Sequence, residues 1–288
     1  TKTSVFTFSL MIKPLYYYLL ATGSWFLAYG IQGVMFAWLV TIVLRESPNM
    51  VGVAHMTLLA PATVLVLVGG SLADHFGGKP IAIIGQLLAA VCVFLLALVI
   101  YFDYFSYSTL LVFAFVLGCA QAIVTPARDG LLPLVASGRI QRTVVQSTIT
   151  QFGIMMLGFA IASFADQSGA LIILLFQSVV LLVGIVALVR IKVPGSKVPQ
   201  SDYNLTKQIR LSIYTGMQTV LGNSVLRAIL LINFAMGLFF MSSYMVMIPL
   251  LLREVYGGSS SQLSWTNFAN CLGLVLMMFY LLRMGDLK

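Results

Sequence analysis

The chain has 288 residues, 60% hydrophobic and only 8% charged, with a formal net charge of +8. Soluble domains are about half apolar and about one quarter charged, so this composition excludes one. The surplus of Lys and Arg reads as charge collected in cytoplasmic loops, not as a nucleic-acid surface, and Cys92, Cys119 and Cys271 sit inside apolar runs, which excludes a disulfide framework.

Several apolar runs reach about 20 residues, enough to cross about 30 Å of hydrocarbon. They are continuous, not alternating, so helices are expected and a barrel is not. Eight spans are predicted, at 15–43, 51–73, 81–102, 109–134, 144–167, 170–191, 226–252 and 262–285. The first is too long for a signal-peptide core and no small-residue cleavage site follows it, so it reads as a membrane helix. Ser47-Pro48-Asn49 closes it; Asp103 with Ser106–Ser108, Ser137-Gly138 and Gly257-Gly258-Ser259 close the third, fourth and seventh. Pro61, Pro126 and Pro249 fall within spans, where membrane helices tolerate kinks. In the fifth, Gly153 and Gly158 read as close helix packing.

Residues 192–225 form the longest polar stretch and are taken as a cytoplasmic linker. Within it Leu205, Ile209, Ile213 and Met217 recur at i+4, the pattern of an amphipathic helix lying on the membrane surface. The expected domains are therefore 1–191, a six-helix bundle; 192–225, the linker; and 226–288, two helices of a second half. With the N-terminus inside, every Lys and Arg except Arg45 and Arg253 falls on the cytoplasmic side, as the positive-inside rule requires.

Leu44-Arg45-Glu46 ends the first span and Leu252-Arg253-Glu254 ends the seventh. In that register the face Trp25, Tyr29, Gln32, Phe36 maps onto Asn233, Gly237, Phe240, Tyr244, and His55 maps near Asn267. Such a parallel repeat is a device of membrane transporters. It implies that the chain is part of a twelve-helix protein, stopping after the eighth helix. The aromatic and amide residues on both faces are candidates for a substrate cavity: Trp25, Tyr29, Gln32, Phe36, Asn233, Phe240 and Tyr244, joined by Gln121 of the fourth span.

Between the second and third spans lies Gly70-x-x-x-Asp74-x-x-Gly77-x-Lys79, with His75 and Gly78 also in the loop. It resembles the loop signature of the major facilitator superfamily, with two basic positions replaced. The chain's last residues, including Asp286, resemble the start of a second copy. Thr125-Pro126-Ala127-Arg128-Asp129, followed by Leu132-Pro133, resembles the enterobactin-exporter-like branch and is also similar to lysophospholipid transporters. The resemblance implies an all-α integral membrane protein of major-facilitator type in the cytoplasmic (inner) membrane, N-terminus in the cytoplasm. Gly70, Asp74, Gly77, Lys79, Arg128, Asp129 and Asp286 would then be loop-signature or gating residues.

On its own residues, Asp74 is placed to accept from backbone N–H groups at a helix start and to pair with a nearby cation, and Arg128 is placed to face the cavity mouth and pair with Asp74 or Asp129. Arg128 is equally placed to reach out to the interface as a snorkelling cation. No Asp, Glu, Lys or Arg stands in the middle of a span, and His55 is the one titratable group in the outer part of a helix. No nucleophile–base pair, metal spacing or phosphate loop is present, so neither an enzyme, a cofactor nor a metal is expected. The expected function is proton-linked export of small amphipathic or aromatic molecules by alternating access. The alternatives are a lysophospholipid transporter and a non-transporting membrane sensor or assembly protein. The expected partners are a small-molecule substrate and membrane lipid, not nucleic acid, with the complete protein a monomer.

Overall fold

The computed structural model describes residues 2–136, 138, 140–191 and 205–284. All of the regular structure there is helical. Helix α1 (Lys2–Trp38) continues into a π-helical turn (Leu39–Val43); α2 is Pro48–Phe76, α3 Gly78–Tyr101, α4 Tyr107–Val135, α5 Ile140–Ala162 and α6 Ala165–Arg190. Helix α7 (Leu205–Gly222) precedes α8 (Ser224–Ala235), a second π-helical stretch (Met236–Met241), α9 (Ser242–Tyr256) and α10 (Ser260–Met284). Among the described residues seven segments are long and apolar enough to cross a membrane: the expected first six spans and Ser224–Tyr256. The protein is a multi-pass membrane protein built as an all-α helical bundle. The expected eighth span is the helix α10, which is not one of those seven; residues 285–288, including Asp286, lie outside the described residues, as do 192–204 of the expected linker.

Breaks fall where the chemistry asks for them. Pro48 occupies the first turn of α2, where its missing N–H costs nothing. Ser106 caps α4 by accepting from the Thr109 N–H, while the Thr109 hydroxyl accepts from the Ser106 N–H at 2.9 Å. Asn223 caps α8 by accepting from Val225 and Leu226. The expected boundary between the fifth and sixth spans is shifted. Helix α5 stops at Ala162, and α6 opens with a single turn that is broken at Gly169, whose φ of 80° suits glycine. The long helical stretch therefore starts at Ala170, while the turn before it carries Asp166 to the bundle end.

Helix α1 packs on α5 and α6, α2 on α4, and α3 on α4 and α6, with α10 laid against α5 and α1. Lipid is as apolar as leucine, so helices in a membrane associate by close fit instead of by expelling water. Small residues supply that fit here: Ala28, Ala89, Ala114, Ala120 and Ala162 are buried in the main core. Gly30 faces the Met155 carbonyl and Gly158, and Gly158 in turn faces the Leu27 carbonyl, so α1 and α5 touch backbone to backbone. Gly153, expected to share that role, faces open space. Cys92 and Cys271 are buried thiols and Cys119 is half-buried; all three are free. Helix α8 has no buried residue, and Ile229, Leu231, Ile232 and Phe234 present an apolar surface that hydrocarbon satisfies.

The loops gather at two ends. At one, the Tyr107 hydroxyl donates to the Met50 carbonyl and Asp166 binds Ser260. At the other, the Lys79 ammonium donates to the carbonyls of Val189 and Ile191, at 2.8 Å each. A second apolar cluster closes that end around Tyr18, Ile81, Ala127, Leu131 and Ile191.

Candidate functional site

A cavity of about 240 Å³ lies between the first six helices and the α9–α10 pair. One stripe of α1 supplies Trp25, Tyr29, Gln32 and Phe36, all four predicted from their i, i+4, i+7, i+11 spacing. Gln121 of α4 and Tyr244 of α9 also line it, as expected. The rest of the wall includes His55, Met155, Phe159, Gln177, Asn267 and Asn270. Among the described residues that line it there is no Asp, Glu, Lys or Arg. Apolar and aromatic walls with a few amides bind an uncharged or amphipathic body by fit and orient it by a few hydrogen bonds.

The amides are held in place. Gln177 is buried, and its amide nitrogen donates to the Ala28 carbonyl at 3.1 Å and to Gln32 Oε1 at 2.9 Å. That contact fixes the Gln32 carboxamide at the wall. His55 is buried, its Nδ1 lies 3.0 Å from the Val51 carbonyl and its ring stands edge-on to Phe36 with centroids 5.1 Å apart. The bond to a carbonyl assigns the proton to Nδ1 and leaves Nε2 as the acceptor. Asn267 donates to the Leu263 carbonyl at 2.8 Å, and the Tyr244 hydroxyl lies 3.5 Å from Asn267 Oδ1. Phe36 with Tyr244, and His55 with Asn267, are the pairs that the repeat relates, and all four reach the same cavity.

Two predicted lining residues do not. Asn233 lies on exposed α8 and donates to the Ile229 carbonyl of its own helix, and Phe240 stacks on Tyr244 outside the cavity. The reason is the π-helical stretch Met236–Met241 between Asn233 and Tyr244. Its wider turns rotate Phe240, within it, and Asn233, before it, away from the face that 3.6-residue spacing assigns them. Gln177 is the residue that sequence reasoning missed. A lone amide in the aliphatic run of α6 was the available signal.

The signature loop is a tight turn at Gly77, whose φ is 90°. Gly69 packs backbone to backbone on α4, where a Cβ would meet the Ala122 carbonyl, whereas the signature's Gly70 has only Pro126 nearby, at 3.8 Å. Lys79 caps the C-terminus of α6, where carbonyls lack helical partners. Asp74 is exposed on the last turn of α2 with no ion pair among the described residues, so of the two expected partners of Arg128 it is Asp129, not Asp74, that lies beside it. The helix that follows starts beyond it, after Gly77, and Asp74 therefore does not cap it. Arg128 does not snorkel: it is buried inside α4, its Nη2 lies 3.5 Å from Asp129 Oδ1, and its guanidinium sits 4.7 Å from the centre of the Phe26 ring.

The family model described as Major Facilitator Superfamily matches residues 18–287, nearly the whole chain. No curated protein matches it.

Proposed function

The chain belongs to the major facilitator superfamily, a family of secondary transporters, and from that premise we propose that it exports small amphipathic or aromatic molecules by alternating access. The observation that carries this reading is the cavity between the two groups of helices, walled by Trp25, Phe36 and Tyr244 and free of charged lining. A site at the junction of two helix groups can open to either side as they rock. The cation bias of the loops favours placing the Lys79 end in the cytoplasm, in the inner membrane, and the Asp166 end outside. Proton coupling follows from the family resemblance, with His55 the titratable group in the cavity wall.

Reconstitution in lipid vesicles tests it. Dansylated and naphthyl solutes are expected to accumulate in inverted vesicles when the lumen is acid, and to stop when the gradient is collapsed. Movement no faster than in empty vesicles for the whole panel rejects export. Leaflet exchange of a fluorescent lysolipid, with no movement of soluble solutes, makes the protein a lipid transporter.

A further inference from the structure

Arg128 is the only buried Asp, Glu, Lys or Arg among the described residues, at 4% exposure. Its surroundings do not satisfy it. The face of the guanidinium rests over Phe26, which leaves the in-plane N–H groups to find acceptors. The Nε and Nη1 nitrogens have none, and Asp129, beside Nη2, is 59% exposed and screened by water. The Tyr18 hydroxyl lies beside those of Thr22 and Ser147 and within electrostatic reach of Arg128. Beyond these neighbouring hydroxyls, Tyr18 Oη and Thr22 Oγ1 have no hydrogen-bond partner. Thus, among the described residues, four of the nine buried polar side-chain atoms without a well-formed hydrogen bond belong to this one spot. A buried cation with two unpaired N–H groups, beside hydroxyls that can turn toward a new acceptor, forms an arrangement that is costly when empty and complementary to an anion.

The spot is aligned with the cavity. Along α1, Tyr18, Thr22, Trp25 and Tyr29 share one stripe, and along α4, Gln121, Thr125 and Arg128 share another. Seven residues of helix separate Gln121 from Arg128, a rise of about 10 Å. We infer that Arg128, with Tyr18 and Thr22, binds the acid group, a carboxylate or phosphate, of the transported molecule, whose apolar body occupies the uncharged cavity. This rests on the reading of that cavity as the transport site and makes the substrate an anionic amphiphile. Asp129, being exposed, can turn to water when the acid arrives, while Arg128 supplies the fixed charge.

The test is fluorescence titration of the purified protein in uncharged-lipid nanodiscs with dansyl-aminohexanoic acid and its primary amide, which differ in one negative charge. The wild type is expected to bind the acid at least about tenfold more tightly than the amide, a difference of about 1.4 kcal/mol. Arg128→Gln should remove that preference with the amide's Kd unchanged, Arg128→Lys should keep part of it, and Tyr18→Phe should weaken the acid alone about threefold. Equal binding of acid and amide by the wild type overturns the inference and leaves the transport reading standing. So does an equal loss of both ligands in Arg128→Gln, which would make the residue structural. Displacement of the acid by inorganic phosphate with no effect on the amide, or by adding phosphatidylglycerol to the discs, reassigns the site to a free anion or a lipid headgroup and overturns it as a reader of substrate. Binding of neither probe, with no solute movement in vesicles, brings down the transport reading as well.

Discussion

Asp166 accepts the indole N–H of Trp38 at 2.8 Å through one carboxylate oxygen, while its other oxygen accepts the backbone N–H of Ser260 at 2.7 Å. One side chain thus joins α1, α6 and the N-terminus of α10 at a single bundle end. A negative charge at a helix N-terminus is favourable in itself, and hydrogen bonds to a charged group contribute about 1.5–3 kcal/mol each. Asp166→Ala should therefore loosen that end. With a cysteine-free background and Leu263→Cys as a reporter in the cavity wall, labelling by a membrane-impermeant maleimide should speed up about tenfold. An unchanged rate would mean that this junction does not hold the cavity closed.

Arg253 closes the same end from α9. Its Nη1 donates to the Glu46 carbonyl at 2.7 Å and to the Thr41 carbonyl at 3.3 Å, and Glu254 holds the guanidinium from the other side at 2.6 Å. Arg253→Lys keeps the charge and loses the fork. The expected result is a smaller rise in Leu263→Cys labelling than for Arg253→Ala, and a more than additive rise when Arg253→Ala and Asp166→Ala are combined.

Adjacent glycines should respond in opposite directions. Gly69→Ala drives a methyl group into the Ala122 carbonyl, while Gly70→Ala meets only Pro126 at van der Waals distance. The first should lower the thermal unfolding midpoint. The second should leave it unchanged or raise it, since alanine is favoured over glycine within a helix by about 1 kcal/mol. The comparison needs only unfolding traces of the two variants in the same detergent.

Lys79 donates to the carbonyls of Val189 and Ile191 at the C-terminal end of α6, where helical N–H partners run out. Lys79→Met keeps the stem and removes the ammonium, and should cost about 1–3 kcal/mol by leaving those acceptors unpaired. Asp74→Asn should cost nothing measurable, because Asp74 is exposed and unpaired. Equal losses in the two thermal melts would contradict this division of the signature loop.

Trp25 and Tyr244 face the cavity from opposite helix groups. Each to alanine should weaken binding of a dansylated ligand about tenfold or more, as loss of a central aromatic contact does. Phe240→Ala, outside the cavity, should weaken it far less. Ligand titration of the three variants separates these outcomes.

Much of this was legible in the residues. Length and continuity of the apolar runs placed the membrane helices, and the helical spacing of Trp25, Tyr29, Gln32 and Phe36 identified one cavity wall. What was hidden had physical causes. Asn233 and Phe240 fit the same spacing, but π-helical turns change the period, and nothing in Met236–Met241 announces that. Arg128 near a helix end looks like any loop cation; only the packing of Phe26 and Tyr18 around it reveals a buried charge. Gly69 and Gly70 differ only in which side of α2 meets α4.

The grip of Arg253 has one property that a salt bridge lacks. Its partners on the π-helical turn after α1 and on the following loop are main-chain oxygens, which exist whatever side chains residues 41 and 46 carry. Those two positions can drift over evolutionary time without loosening the contact, and no compensating charge swap will mark it. Position 253, by contrast, has a single guanidinium to offer. In a set of relatives, the contact would leave its trace as an arginine that holds still opposite neighbours that do not.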